Sequence, residues 1–182
     1  MKRTLALLTL TLLPSLAFAD AFTVTSTDVK DGTTLTAHHV FKGMGCNGDN
    51  QSPQLAWKNA PAGTKSFAVT MYDPDAPTGS GWWHWVVYNL PASTTSLPAG
   101  AGDLSRKLVP AGTLQGRTDF GMAGFGGACP PPGDKPHHYI VTVFALKVDK
   151  LEVPEGATAA YVGYNLNANK LATTTLTARY GR

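Results

Sequence analysis

Apolar and β-branched residues gather along this chain in short runs, separated by glycine, proline, asparagine and aspartate. Runs of that length, closed at both ends by turn formers, read as strands. They predict strands over 22–26, 54–57, 66–72, 83–89, 138–146 and 173–180. Several are near-continuous rather than alternating, Ile140 to Leu146 most clearly, which is the pattern of strands buried on both faces. One segment has a different period. Within 158–172, Tyr161, Tyr164, Asn165, Ala168, Leu171 and Ala172 recur at helical spacing, and Pro154 and Gly156 punctuate the approach. That predicts one helix packed against the sheet, followed by a final strand. Between Asn89 and Tyr139 the pattern dissolves into a glycine- and proline-rich stretch that reads mostly as loop, and long loops in compact domains tend to be functional. Its second half, from Gly124 to Gly133, carries Pro130, Pro131 and Pro132 and reads as an ordered wall.

The N-terminus stands apart from this pattern. Met1-Lys2-Arg3 is a short basic segment, residues 5–13 are apolar but too few to span a bilayer, and Ala17-Phe18-Ala19 supplies a small-x-small cleavage pattern. Residues 1–19 are expected to form a signal peptide cleaved after Ala19, with 20–182 as one domain and no transmembrane anchor. Removing Lys2 and Arg3 lowers the basic residues from 15 to 13 against 12 acidic ones. The mild basicity of the full chain therefore carries no message about nucleic acid, and no basic cluster longer than Arg106-Lys107 exists. The mature 163 residues suffice for one core. Two cysteines, Cys46 and Cys129, argue in an exported protein for a disulfide rather than for thiol chemistry.

The densest chemistry lies in Tyr72-Asp73-Pro74-Asp75-Ala76-Pro77-Thr78-Gly79-Ser80-Gly81-Trp82-Trp83-His84-Trp85. Singly, each residue has a structural reading. Asp73 and Asp75 can serve as turn formers, His84 as an interior residue among tryptophans, and His137 and His138 as strand-edge positions. His38-His39 reads as surface. Together, Asp-Pro-Asp-Ala-Pro, the tryptophan-flanked histidine and the proline loop running into His137-His138-Tyr139 form a specific set.

On these motifs the chain resembles the phosphatidylethanolamine-binding proteins, also called Raf-kinase-inhibitor-like proteins. The likeness is strongest to the bacterial YbhB/YbcL type and its exported, periplasmic YbcL-like members. Phe41 to Pro53, Pro61 to Ser66, Gln115 to Gly121 and Val162 to Lys170 extend the resemblance over essentially the whole mature chain. It implies a mainly β fold, in which a large antiparallel sheet is flanked by a smaller sheet and one main helix, with a small anion-binding cavity at one end. Carried over by position, the ligand site comprises Asp73, Asp75, Pro77, His84, Gly127, Pro130, Pro131, His137 and Tyr139. Asp75 is expected to accept from a histidine and favour its imidazolium. Within this frame a Cys46–Cys129 disulfide would tie two glycine-rich loops together and organise the cavity. Ala128, where relatives often carry proline, is expected to loosen the wall slightly. His138, in place of a common arginine, removes a permanent charge near the rim.

The leading expectation is a periplasmic, non-enzymatic protein that binds a small anionic or zwitterionic ligand such as a phospholipid headgroup, without a cofactor. The alternative is an interaction module acting through its surface on a protease, kinase or host factor. A hydrolase or zinc site on Asp73, Asp75, His84 and His137 is a third reading. It finds no Gly-x-Ser-x-Gly or His-Glu-x-x-His motif, so no catalytic or metal residue is assigned. Homodimerisation is implied only by analogy with bacterial relatives.

Overall fold

The computed structural model describes residues 20–182, and the expected signal peptide lies outside the described residues. The chain forms a five-stranded antiparallel sheet in the order β10–β9–β5–β6–β8. Its strands are β5 (Ser66–Asp73), β6 (Trp82–Pro91), β8 (Leu114–Gln115), β9 (His137–Leu146) and β10 (Lys170–Tyr180). A smaller sheet, β1 (Thr23–Thr25), β4 (Leu55–Lys58) and β7 (Ser96–Leu97), packs on one face, and α1 (Ala159–Asn169) covers part of the other. A two-stranded hairpin, β2 (Lys42–Gly43) and β3 (Cys46–Asn47), stands at one end. The mainly β architecture with one main helix is thus the expected one.

The near-continuous apolar runs are explained by this layering. On β5, Phe67, Val69 and Met71 join Trp85, Val87, Tyr139, Val141, Val143, Leu176 and the small-sheet residues Val24, Leu55, Trp57 and Leu97 in one core. Ala68 faces the opposite way, toward Val86, Tyr88, Phe144, Leu146 and the helix residues Val162 and Leu166. A strand between two layers must be apolar at both odd and even positions.

Two expectations about the helix change. It ends at Asn169, and β10 begins at Lys170, which pairs with Leu146. The buried helix residues are Ala159, Val162, Gly163 and Leu166, while Tyr161 and Tyr164, members of the face read from the sequence, are 48% and 73% exposed. Gly163 decides this. A Cβ there would lie 3.2 Å from the Trp83 ring, so the glycine lets the helix approach the sheet on its least bulky side. Thr158 caps the start, its Oγ1 accepting the Tyr161 N–H at 3.2 Å. The stretch from Asn89 to Tyr139 is mostly irregular as expected, but it also holds the short strands β7 and β8.

Candidate functional site

A cavity of about 190 Å³ opens at the end of the large sheet where β5 finishes and β6 and β9 begin. Three elements carry its polar groups. Asp73 is the last residue of β5, His84 lies early in β6, and His137 and Tyr139 share one face at the start of β9. The other walls are largely apolar: Met44 at the β2–β3 turn, Pro77 and Trp82, Phe120, and the Cys129-Pro130-Pro131 segment.

His84 reaches the cavity through a β-bulge. Trp85 pairs with Met71 and Trp83 with Tyr72, so His84 is an extra residue on β6 without a partner on β5. The phase of β6 shifts there. Trp82 and His84 line the cavity and Trp85 joins the core on that same face, while Trp83 packs toward the helix layer. Bulges commonly re-aim a side chain beside a site. The ring is held by the wall loop: Nδ1 donates to the Gly126 carbonyl at 2.7 Å, and the Gly126 N–H returns a bond to the His84 carbonyl at 2.9 Å. Phe120 meets the ring edge-on at 5.4 Å and Tyr139 at 5.1 Å.

Asp73 organises the opposite side with both oxygens. Oδ2 accepts from His137 Nδ1 at 2.7 Å in a buried ion pair. Oδ1 accepts the backbone N–H groups of Asp75 and Ala76 at 2.8 and 3.1 Å, which fixes the Asp-Pro-Asp turn. His137 Nε2 faces Asp134 at 3.4 Å. Burial alone lowers the pKa of His137, but the hydrogen bond and charge of Asp73, with help from Asp134, outweigh it and leave the pKa above the ordinary histidine value. His84 goes the other way. Burial lowers its pKa, and the carbonyls of Gly126 and Gly127 and the charges of Asp73 and Asp119 only partly oppose this. Tyr139 is driven upward by burial and the neighbouring carboxylates, so its phenol keeps its proton.

His84 Nε2 is buried without a hydrogen-bond partner, and the Tyr139 O–H is buried without an acceptor, the Cys129 backbone facing its oxygen only as a donor. Buried polar groups are almost always paired, with protein or with ordered water, so these two atoms keep bonding capacity for whatever fills the cavity.

Of the residues singled out in the sequence, Asp73, Pro77, His84, Pro130, Pro131, His137 and Tyr139 all line this cavity. Asp75 does not. Its Oδ2 accepts from the His138 backbone N–H and ring Nδ1, both at 2.7 Å, at the rim. Burial raises the Asp75 pKa, but these bonds and the histidine charges hold it below the ordinary carboxylate value. Gly127 sits behind the wall, where a Cβ would lie 2.5 Å from the His39 carbonyl oxygen. The wall is also tied where Ala128 was expected to loosen it. The Ala128 N–H donates to the His39 carbonyl at 3.0 Å, a bond that proline cannot form. His39, expected at the surface, is buried and bonded through Nδ1 to the Gln51 carbonyl, whereas His38 is exposed. Cys46 and Cys129 form the expected disulfide. The lining residues that sequence reasoning missed are Met44, Ala76, Thr78, Trp82 and Phe120, and it also missed Asp134, which faces His137 beside them. Phe120 lies in the Gln115–Gly121 motif and Met44 in the Phe41–Pro53 motif, and Trp82 lies two positions from His84. Among the described residues, no group of three or more His, Cys, Asp or Glu is placed to hold a metal ion.

Comparison with known proteins gives a consistent result. The family model for phosphatidylethanolamine-binding protein matches residues 25–181. YbcL of Escherichia coli K12 is 60% identical over 164 residues, covering 90% of each chain. YbhB of the same organism is 56% identical over 155 residues, covering 85% of this chain and 97% of its own. The crystal structure of E. coli YbcL, described as a new member of the mammalian PEBP family, superposes with a TM-score of 0.86 at 59% identity. It covers 88% of this chain and 98% of that one.

Proposed function

The chain belongs to the phosphatidylethanolamine-binding protein family, and from that premise we propose that it is a non-catalytic binding protein whose cavity takes the acidic end of a small ligand. The observation that carries this reading is the pair of unpartnered buried groups, the Tyr139 O–H and His84 Nε2, beside the His137–Asp73 ion pair. Phosphate or carboxylate oxygens supply what the phenol O–H lacks. Asp73 favours the protonated form of His137 and is itself the counter-charge bound to it, so the site offers little net positive charge and favours a singly charged group over a polyanion. A cavity of about 190 Å³ is below the ~300–1,000 Å³ of sites for drug-sized molecules. It accommodates a headgroup with a small apolar attachment, while acyl chains stay outside. The rim carboxylates Asp75 and Asp134 give an ammonium, as in phosphoethanolamine, a partner.

Isothermal titration calorimetry with acetate, inorganic phosphate and phosphoethanolamine tests the reading, with Tyr139→Phe as the variant. Binding of at least one probe, weakened about tenfold or more in the variant, is the expected result, since a hydrogen bond to a charged group contributes roughly 1.5–3 kcal/mol. Indifference of the native protein to all three probes would overturn it.

The Cys46–Cys129 disulfide also supports a life in an oxidising compartment, in line with export of the chain to the periplasm and removal of residues 1–19. Intact mass of protein recovered from the periplasm should correspond to a chain starting at Asp20. Retention of the leader in exported protein would overturn this.

A further inference from the structure

We propose that His84 reads the ligand as an acid: its Nε2 accepts the proton of a carboxylic or phosphoric O–H, so an anion drawn from neutral solution is bound together with one proton. This rests on the ligand-binding reading above and specifies the chemical form that the site takes.

The wall loop sets the tautomer. The Gly126 carbonyl can only accept, so the 2.7 Å contact to His84 Nδ1 requires the hydrogen on Nδ1. A neutral ring protonated there presents a bare lone pair at Nε2, the atom that is buried without a partner. The side chain is only 3% exposed, so bulk water does not satisfy it. Next to it stands Tyr139, whose O–H is the other unpartnered group of the cavity. The pair is asymmetric: one O–H that donates and one lone pair that accepts. An acid group is asymmetric in the same sense, with one oxygen that accepts and one O–H that donates. A fully ionised carboxylate would set an oxygen lone pair against the nitrogen lone pair, and a proton placed between them removes that repulsion. The bookkeeping is simple, because no covalent bond other than that to the proton changes. One proton from solvent enters with each anion and sits between the ligand oxygen and Nε2, whichever atom holds it.

The groups around His84 accommodate this. Asp73 at the end of β5 and Asp119 in the loop before Phe120 are carboxylates that stabilise an imidazolium. From β9, His137 opposes it when protonated, with Asp73 and Asp134 offsetting that charge, and the neutral phenol of Tyr139 adds no charge. Burial meanwhile keeps the ring of the unliganded site in its neutral form at pH values where an ordinary histidine begins to ionise.

The test uses acetate, which is ionised throughout the pH range of interest. Long-range ¹H–¹⁵N spectra of the whole mature protein at pH 7.5 should show His84 neutral and protonated on Nδ1, changing to the doubly protonated pattern as acetate saturates the site. Calorimetry at pH 8 in two buffers of different ionisation enthalpy should report uptake of about one proton per acetate, and Kd should rise about tenfold per pH unit above pH 7. His84→Gln should bind acetate more weakly, without proton uptake and with a flat pH profile. If this variant fails to fold, the spectra and proton count of the native protein decide alone. Three results would overturn the proposal while leaving the anion site intact: an empty-site His84 already doubly protonated, one protonated on Nε2, or acetate binding without proton uptake. Failure of acetate and phosphate to bind at any pH overturns both this and the reading beneath it.

Discussion

Asp73 shows how much of the site depends on one carboxylate. One oxygen holds the charged His137 and the other holds the turn, so substitutions can separate the two roles. Asp73→Ala leaves a buried imidazole with no counter-charge and two backbone donors unsatisfied. It should cost about 3–5 kcal/mol, the usual penalty for removing half of a buried pair, read as a lowered urea midpoint. Asp73→Asn keeps an oxygen for the turn but turns an N–H₂ toward His137. The protein should still fold, and a ¹⁵N titration should find the His137 pKa displaced downward. The two pocket histidines also act oppositely on stability. The His137 pKa is raised, so its contribution is complete below the ordinary value of ~6.5 and is lost as pH rises through its folded-state pKa. The His84 pKa is lowered, so its contribution is present above ~6.5 and is lost as pH falls toward its folded-state pKa. The stability advantage of the native protein over His84→Gln should therefore shrink between pH 7.5 and pH 5 in urea unfolding. At this scale the sequence showed which residues belong together but not which pair with which. It joined Asp75 to the imidazolium facing the ligand, whereas Asp75 meets His138 at the rim and Asp73 meets His137 inside. Strand alternation on β9, with 137 and 139 inward and 138 outward, is what distributes these partners.

Elements translate these residues into a site through local irregularities. The bulge that turns His84 inward is hidden in the sequence because Trp82, Trp83 and Trp85 are all large and apolar, so no alternation reveals the change of phase. The helix face was misread for a related reason. Its bulkiest side chains, Tyr161 and Tyr164, point outward, and its buried stripe is built of Ala159, Val162, Gly163 and Leu166. Leu166→Ala should cost about 2–5 kcal/mol, while Tyr164→Ala should stay within about 0.5 kcal/mol; thermal melts of the two variants distinguish this face from the one read in the sequence. The wall loop was legible as ordered, but its reason was not visible locally. Gly127 is required by the backbone of the distant residues 39–41, and Gly126 by the Phe120 ring six positions earlier. Gly127→Ala, whose new methyl would meet the backbone of residues 39–41, should destabilise by about 1–3 kcal/mol or more. At the cavity lip, Met44 occupies a left-handed conformation with φ 52° in the two-residue β2–β3 turn, where asparagine or glycine is favoured. Relief of that strain by Met44→Asn should raise stability by roughly 1 kcal/mol and remove an apolar wall from the cavity, so probes with an apolar tail should bind more weakly.

On the scale of the whole molecule, the cavity lies where the layers stop. The sheets and helix bury the middle of β5, β6 and β9, and beyond their ends only loops close the space. Those loops come from far apart in the chain and need cross-links. The disulfide joins Cys46 to Cys129 across 83 residues of sequence, and Arg182 joins the same two loops, Nε donating to the Pro130 carbonyl at 2.6 Å and an Nη to that of Gly45 at 2.9 Å. Two fasteners between the same segments should not act independently. The disulfide limits the unfolded chain and so contributes to global stability, by up to about 4–5 kcal/mol for a loop of this length. Arg182 is exposed, adds no such constraint and mainly sets how closely the lips approach. Cys46→Ser/Cys129→Ser should therefore lower the unfolding midpoint strongly, and Arg182→Ala alone only slightly. Combined, they should weaken binding of acetate or phosphate by more than the product of the separate effects, because only then are the lips free to part. The double-mutant cycle is read in Kd, with the melting temperature recorded beside it. Separate effects on Kd that simply multiply would mean that the two cross-links act on the cavity independently, and an unchanged Kd in every variant that they serve stability without shaping it.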